Sequence, residues 1–188
     1  SLLTVVELGV RNPDGQLLVT AGRWETLLLW QVIDYMITCL GIQQVGLIAA
    51  SHGAIAALLV AQLHPAVKAL VLDSPIAQPL DLLRYLSESR QEEFSLVLHQ
   101  LKEHHLPYHP FTLELKLPPS VQLLILESQE DTFTRLCGHL STHHVVTYKG
   151  GHAATMRHDS MTRGIPSVCT ESIGEFLSSL TGHLCNDP

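Results

Sequence analysis

Between Tyr35 and Val67 the chain carries no Asp, Glu, Lys or Arg, and inside that stretch residues 45 to 61 read Val-Gly-Leu-Ile-Ala-Ala-Ser-His-Gly-Ala-Ile-Ala-Ala-Leu-Leu-Val-Ala. A short apolar run of this kind, with no polar face, suits a strand covered on both sides, which is the signature of a parallel sheet between helices. It passes through the small-x-Ser-x-small turn Ala49-Ala50-Ser51-His52-Gly53 into an Ala-rich helical run. Such a turn lifts the serine hydroxyl out of the sheet and leaves it beside a helix N-terminus. The N–H groups and the helix dipole there favour a developing oxyanion. Ser51 is therefore the candidate nucleophile. A membrane span would need about 20 predominantly apolar residues in one helix. Gly41, Gln43, Gln44, Ser51, His52 and Gly53 interrupt the stretch, so a buried strand-turn-helix is expected instead.

The rest of the chain alternates in the same way. Leu2–Leu8 reads as a strand, and Trp24–Leu40 as a helix with Leu29, Val32, Ile33, Met36, Ile37 and Leu40 on one stripe. Val45–Ala50 is a strand, Ala54–Leu63 a helix closed by His64-Pro65, and Val67–Leu72 a strand. Val121–Leu126 and His144–Tyr148 are strands, with Phe133–Leu140 a short helix between them. Thr170–Leu180 closes the series as a helix. The interval from Pro79 to Pro119 breaks the alternation with polar, amphipathic helical sequence, clearest over Glu92–His104. Strands separated by helices predict a single α/β domain over residues 1–188, with a mainly parallel sheet covered by helices on both faces.

The 188 residues, 46% of them hydrophobic, are enough to bury a substantial core. Eighteen acidic against eleven basic residues give a net charge of −7 without a basic run, which disfavours nucleic acid and anionic membrane surfaces as partners. The four cysteines are scattered without C-x-x-C spacing, as expected of reduced thiols in a cytoplasmic protein. Histidines cluster at 99, 104, 105 and 109 and again at 139, 143 and 144. Their spacing matches no zinc-binding pattern, and no metal or other cofactor is expected. Trp24, Trp30, Phe94, Tyr108 and Phe111 could line an acyl pocket, although aromatic residues beside helices more often belong to the core.

In a parallel α/β sheet, chemistry gathers at the carboxyl ends of the strands. Three such ends carry, in chain order, a serine, acids and a histidine: Ser51, then Glu127-Ser128-Gln129-Glu130-Asp131, then Lys149-Gly150-Gly151-His152. A serine hydroxyl becomes nucleophilic when a histidine takes its proton, and that histidine needs a carboxylate to hold its tautomer.

With these residues in this order, the chain resembles the α/β-hydrolase superfamily from about its first strand to its last helix. The resemblance implies that Pro79–Pro119 is a short helical lid. Ser128-Gln129-Glu130-Asp131 resembles the family's Gly-x-x-Asp, which implies Asp131 as the acid with Glu130 as the alternative. Gly151-His152 implies His152 as the general base, and the backbone N–H of His52 would form half of the oxyanion hole. The sequence departs from the family at Ala49, where Gly is usual. It also lacks a His-Gly or Gly-Gly loop before Val45 to supply a second oxyanion donor. Leu2–Glu7 then looks like the family strand after that loop, leaving the sheet's first edge incomplete and open to self-association. Alternatively, Leu2–Val10 and Gln16–Thr20 form a hairpin about the turn Asn12-Pro13-Asp14-Gly15. The implied function is a serine hydrolase, an esterase or thioesterase, taking a small-molecule acyl ester or thioester through an acyl-enzyme. The alternative is a non-catalytic protein of the same fold that serves binding or assembly.

Overall fold

The computed structural model describes residues 10–11, 17–18, 20, 22–76, 87–88, 91–92, 94–95, 98–99, 116–131, 144–153 and 166–184. Strands β1 (Val10–Arg11) and β2 (Leu17–Leu18) pair antiparallel, Val10 with Leu18 and Arg11 with Leu17. This pairing agrees with the hairpin reading. The expected strand at Leu2–Leu8 and helix at Phe133–Leu140 lie outside the described residues, as does most of the expected lid. Within 79–119, residues 87, 88, 91, 92, 94, 95, 98 and 99 are helical.

The main sheet consists of β3 (Val45–Ala50), β4 (Val67–Asp73), β5 (Gln122–Ser128) and β6 (His144–Tyr148), all parallel and in that spatial order. Helix α1 (Arg23–Leu40) precedes β3, α2 (Gly53–Leu63) joins β3 to β4, and α3 (Ser167–Leu184) follows β6. The strand pleat sends alternate side chains to opposite faces. Leu70, Leu72, Leu123 and Ile125 enter a core with Leu29, Ile33, Ala54, Ala57 and Leu58 of α1 and α2. Val71, Leu124 and Leu126 enter a second core with Tyr148 and Cys169, against which Ile173 and Phe176 of α3 pack. This is why the middles of β4 and β5, Ala69–Leu72 and Leu123–Leu126, read as continuously apolar: both faces are covered. No described helix is long and apolar enough to cross a membrane.

Helix α2 is buried on nearly every side, with Ala54, Ile55, Ala56, Ala57, Leu58, Val60 and Ala61 all inaccessible. Its alanines let α1 and the sheet approach closely. Gly22, the N-cap of α1, sits in left-handed backbone (φ 96°) against Ile55 of α2. The Glu25 carboxylate accepts the Gly22 N–H (3.1 Å) and the Thr20 N–H (2.8 Å) at this junction. At the opposite end of α2, His64 is buried; its Nδ1 accepts the Ala66 N–H and its Nε2 faces Asp34 at 3.3 Å. Trp30 packs edge-on against the His64 ring, at the end of α2 away from Ser51, while Trp24 is half exposed.

Candidate active site

The strand ends that position this site are held in register by the sheet. Ala50 pairs with Asp73, so β3 and β4 end side by side. Ser51 follows immediately in left-handed backbone (φ 51°), an unfavourable conformation for a residue with a Cβ. Three backbone hydrogen bonds hold it there. The Ser51 N–H donates to the Asp73 carbonyl (3.0 Å), and the Ser51 carbonyl accepts N–H groups from Ala54 (3.1 Å) and Ile76 (3.0 Å). His52 is the N-cap residue of α2, and its side chain is exposed. Gly53 has no positive φ, and a Cβ there would meet nothing within 4 Å among the described residues.

Strand β5 runs two residues further than expected, because Glu127 and Ser128 still pair with Thr147 and Tyr148 of β6. The turn after it is tied by the Asp131 N–H to the Ser128 carbonyl (3.3 Å) and the Glu130 N–H to Ser128 Oγ (3.2 Å). Ser128 Oγ donates in turn to the Gly150 carbonyl, which joins the acidic turn to the histidine loop. The Asp131 side chain is buried, whereas Glu130 is exposed. Burial pushes the Glu127 carboxyl above its ordinary value.

These loops bring Ser51, Asp131 and His152 together. His152 Nδ1 hydrogen-bonds Asp131 Oδ2, and His152 Nε2 lies 2.7 Å from Ser51 Oγ. A carboxylate can only accept, so the Nδ1 position carries the proton. Nε2 of the neutral ring is then the acceptor for the Ser51 hydroxyl. The His152 side chain is one-fifth exposed and Asp131 only 2%, so solvent reaches the base but hardly the acid. Among the described residues, no group of three or more His, Cys, Asp or Glu is placed to hold a metal ion.

A second polar cluster lies beneath this one, and the sequence reading did not single it out. Asp73 and Ser74 are fully buried. Asp73 Oδ1 accepts from the Tyr148 hydroxyl (2.7 Å) and from Ser74 Oγ (3.1 Å), and Ser74 Oγ accepts the Ala153 N–H (3.0 Å). Burial, and secondarily the charge of Asp73, push the nearby Cys169 thiol up to about 11, so this thiol stays protonated and unreactive near neutrality. The one available signal was Asp73 itself, a charged residue directly after the apolar, buried run Ala69–Leu72. Such a group must find hydrogen-bond partners.

No protein-family model matches this sequence, and no curated protein matches it. Solved structures do match by shape. A Pyrococcus furiosus esterase superposes with a TM-score of 0.53 at 17% identity, covering 86% of this chain and 64% of the esterase. A Pyrococcus horikoshii acylaminoacyl peptidase gives 0.52 at 16% identity, covering 84% of this chain and 27% of the peptidase. A carboxylesterase structure from Nitrososphaera gargenis gives 0.54 at 14% identity, covering 84% and 73%. The chain thus spans less than two thirds of the length of the P. furiosus esterase. It has the α/β-hydrolase fold, with four parallel strands flanked by helices.

Proposed function

We propose that the protein is a serine hydrolase that cleaves a carboxylic ester or thioester through an acyl-enzyme, with Ser51 as nucleophile, His152 as general base and Asp131 as the acid that orients it. The observation carrying this reading is the unbroken hydrogen-bond chain from Ser51 Oγ through both His152 nitrogens to Asp131. In acylation, Ser51 Oγ forms a bond to the substrate carbonyl carbon as its proton passes to His152 Nε2. The resulting imidazolium keeps its Nδ1–H on Asp131 and then protonates the departing alcohol or thiol as the acyl–O or acyl–S bond breaks. Water, deprotonated by the same nitrogen, attacks the acyl-enzyme and restores Ser51. The backbone N–H of His52, at the start of α2, is the proposed donor to the tetrahedral oxyanion, where the helix dipole adds to its effect. The esterase and carboxylesterase among the matched structures agree with an acyl ester as substrate.

The test is covalent labelling with a fluorophosphonate. The folded protein should be modified at Ser51, read by peptide mass mapping, and His152→Ala should suppress the reaction strongly. A wild-type protein that stays unlabelled beside a reactive esterase control would favour a non-catalytic binding protein of this fold. Equal labelling of the His152→Ala variant would remove His152 from the mechanism.

A further inference from the structure

The four residues Asp73 to Ile76, the last of β4 and the three that follow it, touch both halves of the candidate machinery. Their backbone grips the nucleophile on both sides: the Asp73 carbonyl takes the Ser51 N–H, and the Ile76 N–H reaches the Ser51 carbonyl. Their side chains grip the base loop, because Ser74 Oγ holds the N–H of Ala153, the residue after His152. Ser74 is itself anchored by its own N–H on the Leu126 carbonyl (2.8 Å). Its position therefore follows β5, the strand that leads to the acidic turn.

Proton counting gives the cluster a direction. Ser74 and Tyr148 have one hydroxyl proton each; the two oxygens lie 3.2 Å apart and each is within hydrogen-bond distance of Asp73 Oδ1, so the protons run to the carboxylate directly or through the other hydroxyl. The Ser74 oxygen is left to accept, and donating toward a carboxylate makes it a better acceptor for the Ala153 N–H. That bond matters because Ala153 has a left-handed backbone (φ 51°), and so does Ser74 (φ 47°). Neither residue would hold such a conformation without contacts that fix it. The buried carboxylate thus supports a hydroxyl, the hydroxyl fixes the strained residue after His152, and the same segment fixes Ser51.

We propose that Asp73 and Ser74 form a positioning bracket that sets His152 against Ser51, with the Ser74 hydroxyl as its link to the histidine loop. The chemical consequence rests on the hydrolase reading above, but the placement of the ring does not. Losing the Ser74 bond frees Ala153 to relax and lets the His152 ring turn away from Asp131 and Ser51.

Two measurements on Ser74→Ala, Ser74→Gly and Tyr148→Phe test this. The first is the tautomer of His152, read from its ring 15N shifts by NMR and assigned by comparison with His152→Ala. The second is the rate of fluorophosphonate labelling. Wild type should hold the Nδ1–H form. Both Ser74 variants should move the ring toward a mixture and slow labelling about five- to tenfold, the weight of one hydrogen bond, with Tyr148→Phe in between. Glycine is the decisive variant, because it relieves the left-handed backbone and so protects folding while removing the hydroxyl. A folded Ser74→Gly protein with the wild-type tautomer would overturn the bracket, as would a wild-type ring already in the Nε2–H form. If the wild type does not label but the tautomer still responds to Ser74, the bracket stands and the hydrolase reading falls.

Discussion

The packing of Gly22 against Ile55 makes a demanding prediction, because it links the N-cap of α1 to the helix that follows the candidate nucleophile. Gly22 has φ 96°, and a Cβ built there would stand 3.2 Å from Ile55 Cβ and closer still to Ile55 Cγ2. Ile55 is wholly buried in the first turn of α2, four residues after Ser51. It cannot swing into solvent. Gly22→Ala therefore incurs two costs: a left-handed conformation for a residue with a Cβ, about 1–2 kcal/mol, and an overpacked contact, about 1–3 kcal/mol. A sum of roughly 2–5 kcal/mol should lower the melting temperature by about 4–20 °C in a chain of this length. Urea unfolding of Gly22→Ala, Ile55→Ala and the double variant would measure it. Ile55→Ala should itself cost about 2–5 kcal/mol as a cavity, but the double variant should be clearly less damaged than the sum, since truncation makes room for the new methyl. Strict additivity, or a Gly22→Ala protein within about 0.5 kcal/mol of wild type, would refute the close approach of these helices.

Asp131→Asn should leave the fold intact and lower p-nitrophenyl ester turnover by roughly 10⁴-fold through loss of the correct tautomer. Glu130→Gln should change turnover little, and the reverse pattern in a steady-state assay would reassign the acid. Gly53→Ala should be tolerated, with a stability change between zero and a gain of about 1 kcal/mol. A large loss by thermal unfolding would mean that the turn needs a glycine for space this structure does not show.

The parts of this fold legible in sequence are those fixed by local pattern. Val45–Ala50 and His144–Tyr148 have the expected boundaries, because the first is an apolar run stopped by the Ser51-His52-Gly53 turn and the second a segment rich in β-branched and aromatic residues stopped by Lys149-Gly150. Helix α3 begins at Ser167, before the expected Thr170, because the Pro166 carbonyl accepts N–H groups from Cys169 and Thr170 and starts the helix over Ser167-Val168-Cys169. β5 outran its expected end for the complementary reason: Glu127 and Ser128 are polar, and only pairing with β6 makes them strand. The candidate site was legible as three residue types at three strand ends. Ser74 was not, since Asp-Ser-Pro reads as an ordinary turn. Its place depends on the pairing of Ala50 with Asp73 and on where Ala153 arrives, 79 residues later.

The left-handed residues Ser51, Ser74 and Ala153 have a joint consequence for engineering. All three lie just past the carboxyl ends of strands, where each holds a conformation costing about 1–2 kcal/mol against a typical net stability of roughly 5–15 kcal/mol. Strain is thus concentrated at one rim of the sheet. At the opposite rim, where His64 and Trp30 pack, the left-handed backbone among the described residues falls on a glycine, Gly41 (φ 67°), which holds it without strain. Stabilising substitutions belong at that quiet rim, because relaxing the strained one would gain stability by dissolving the geometry that brings Ser51 and His152 within reach of each other.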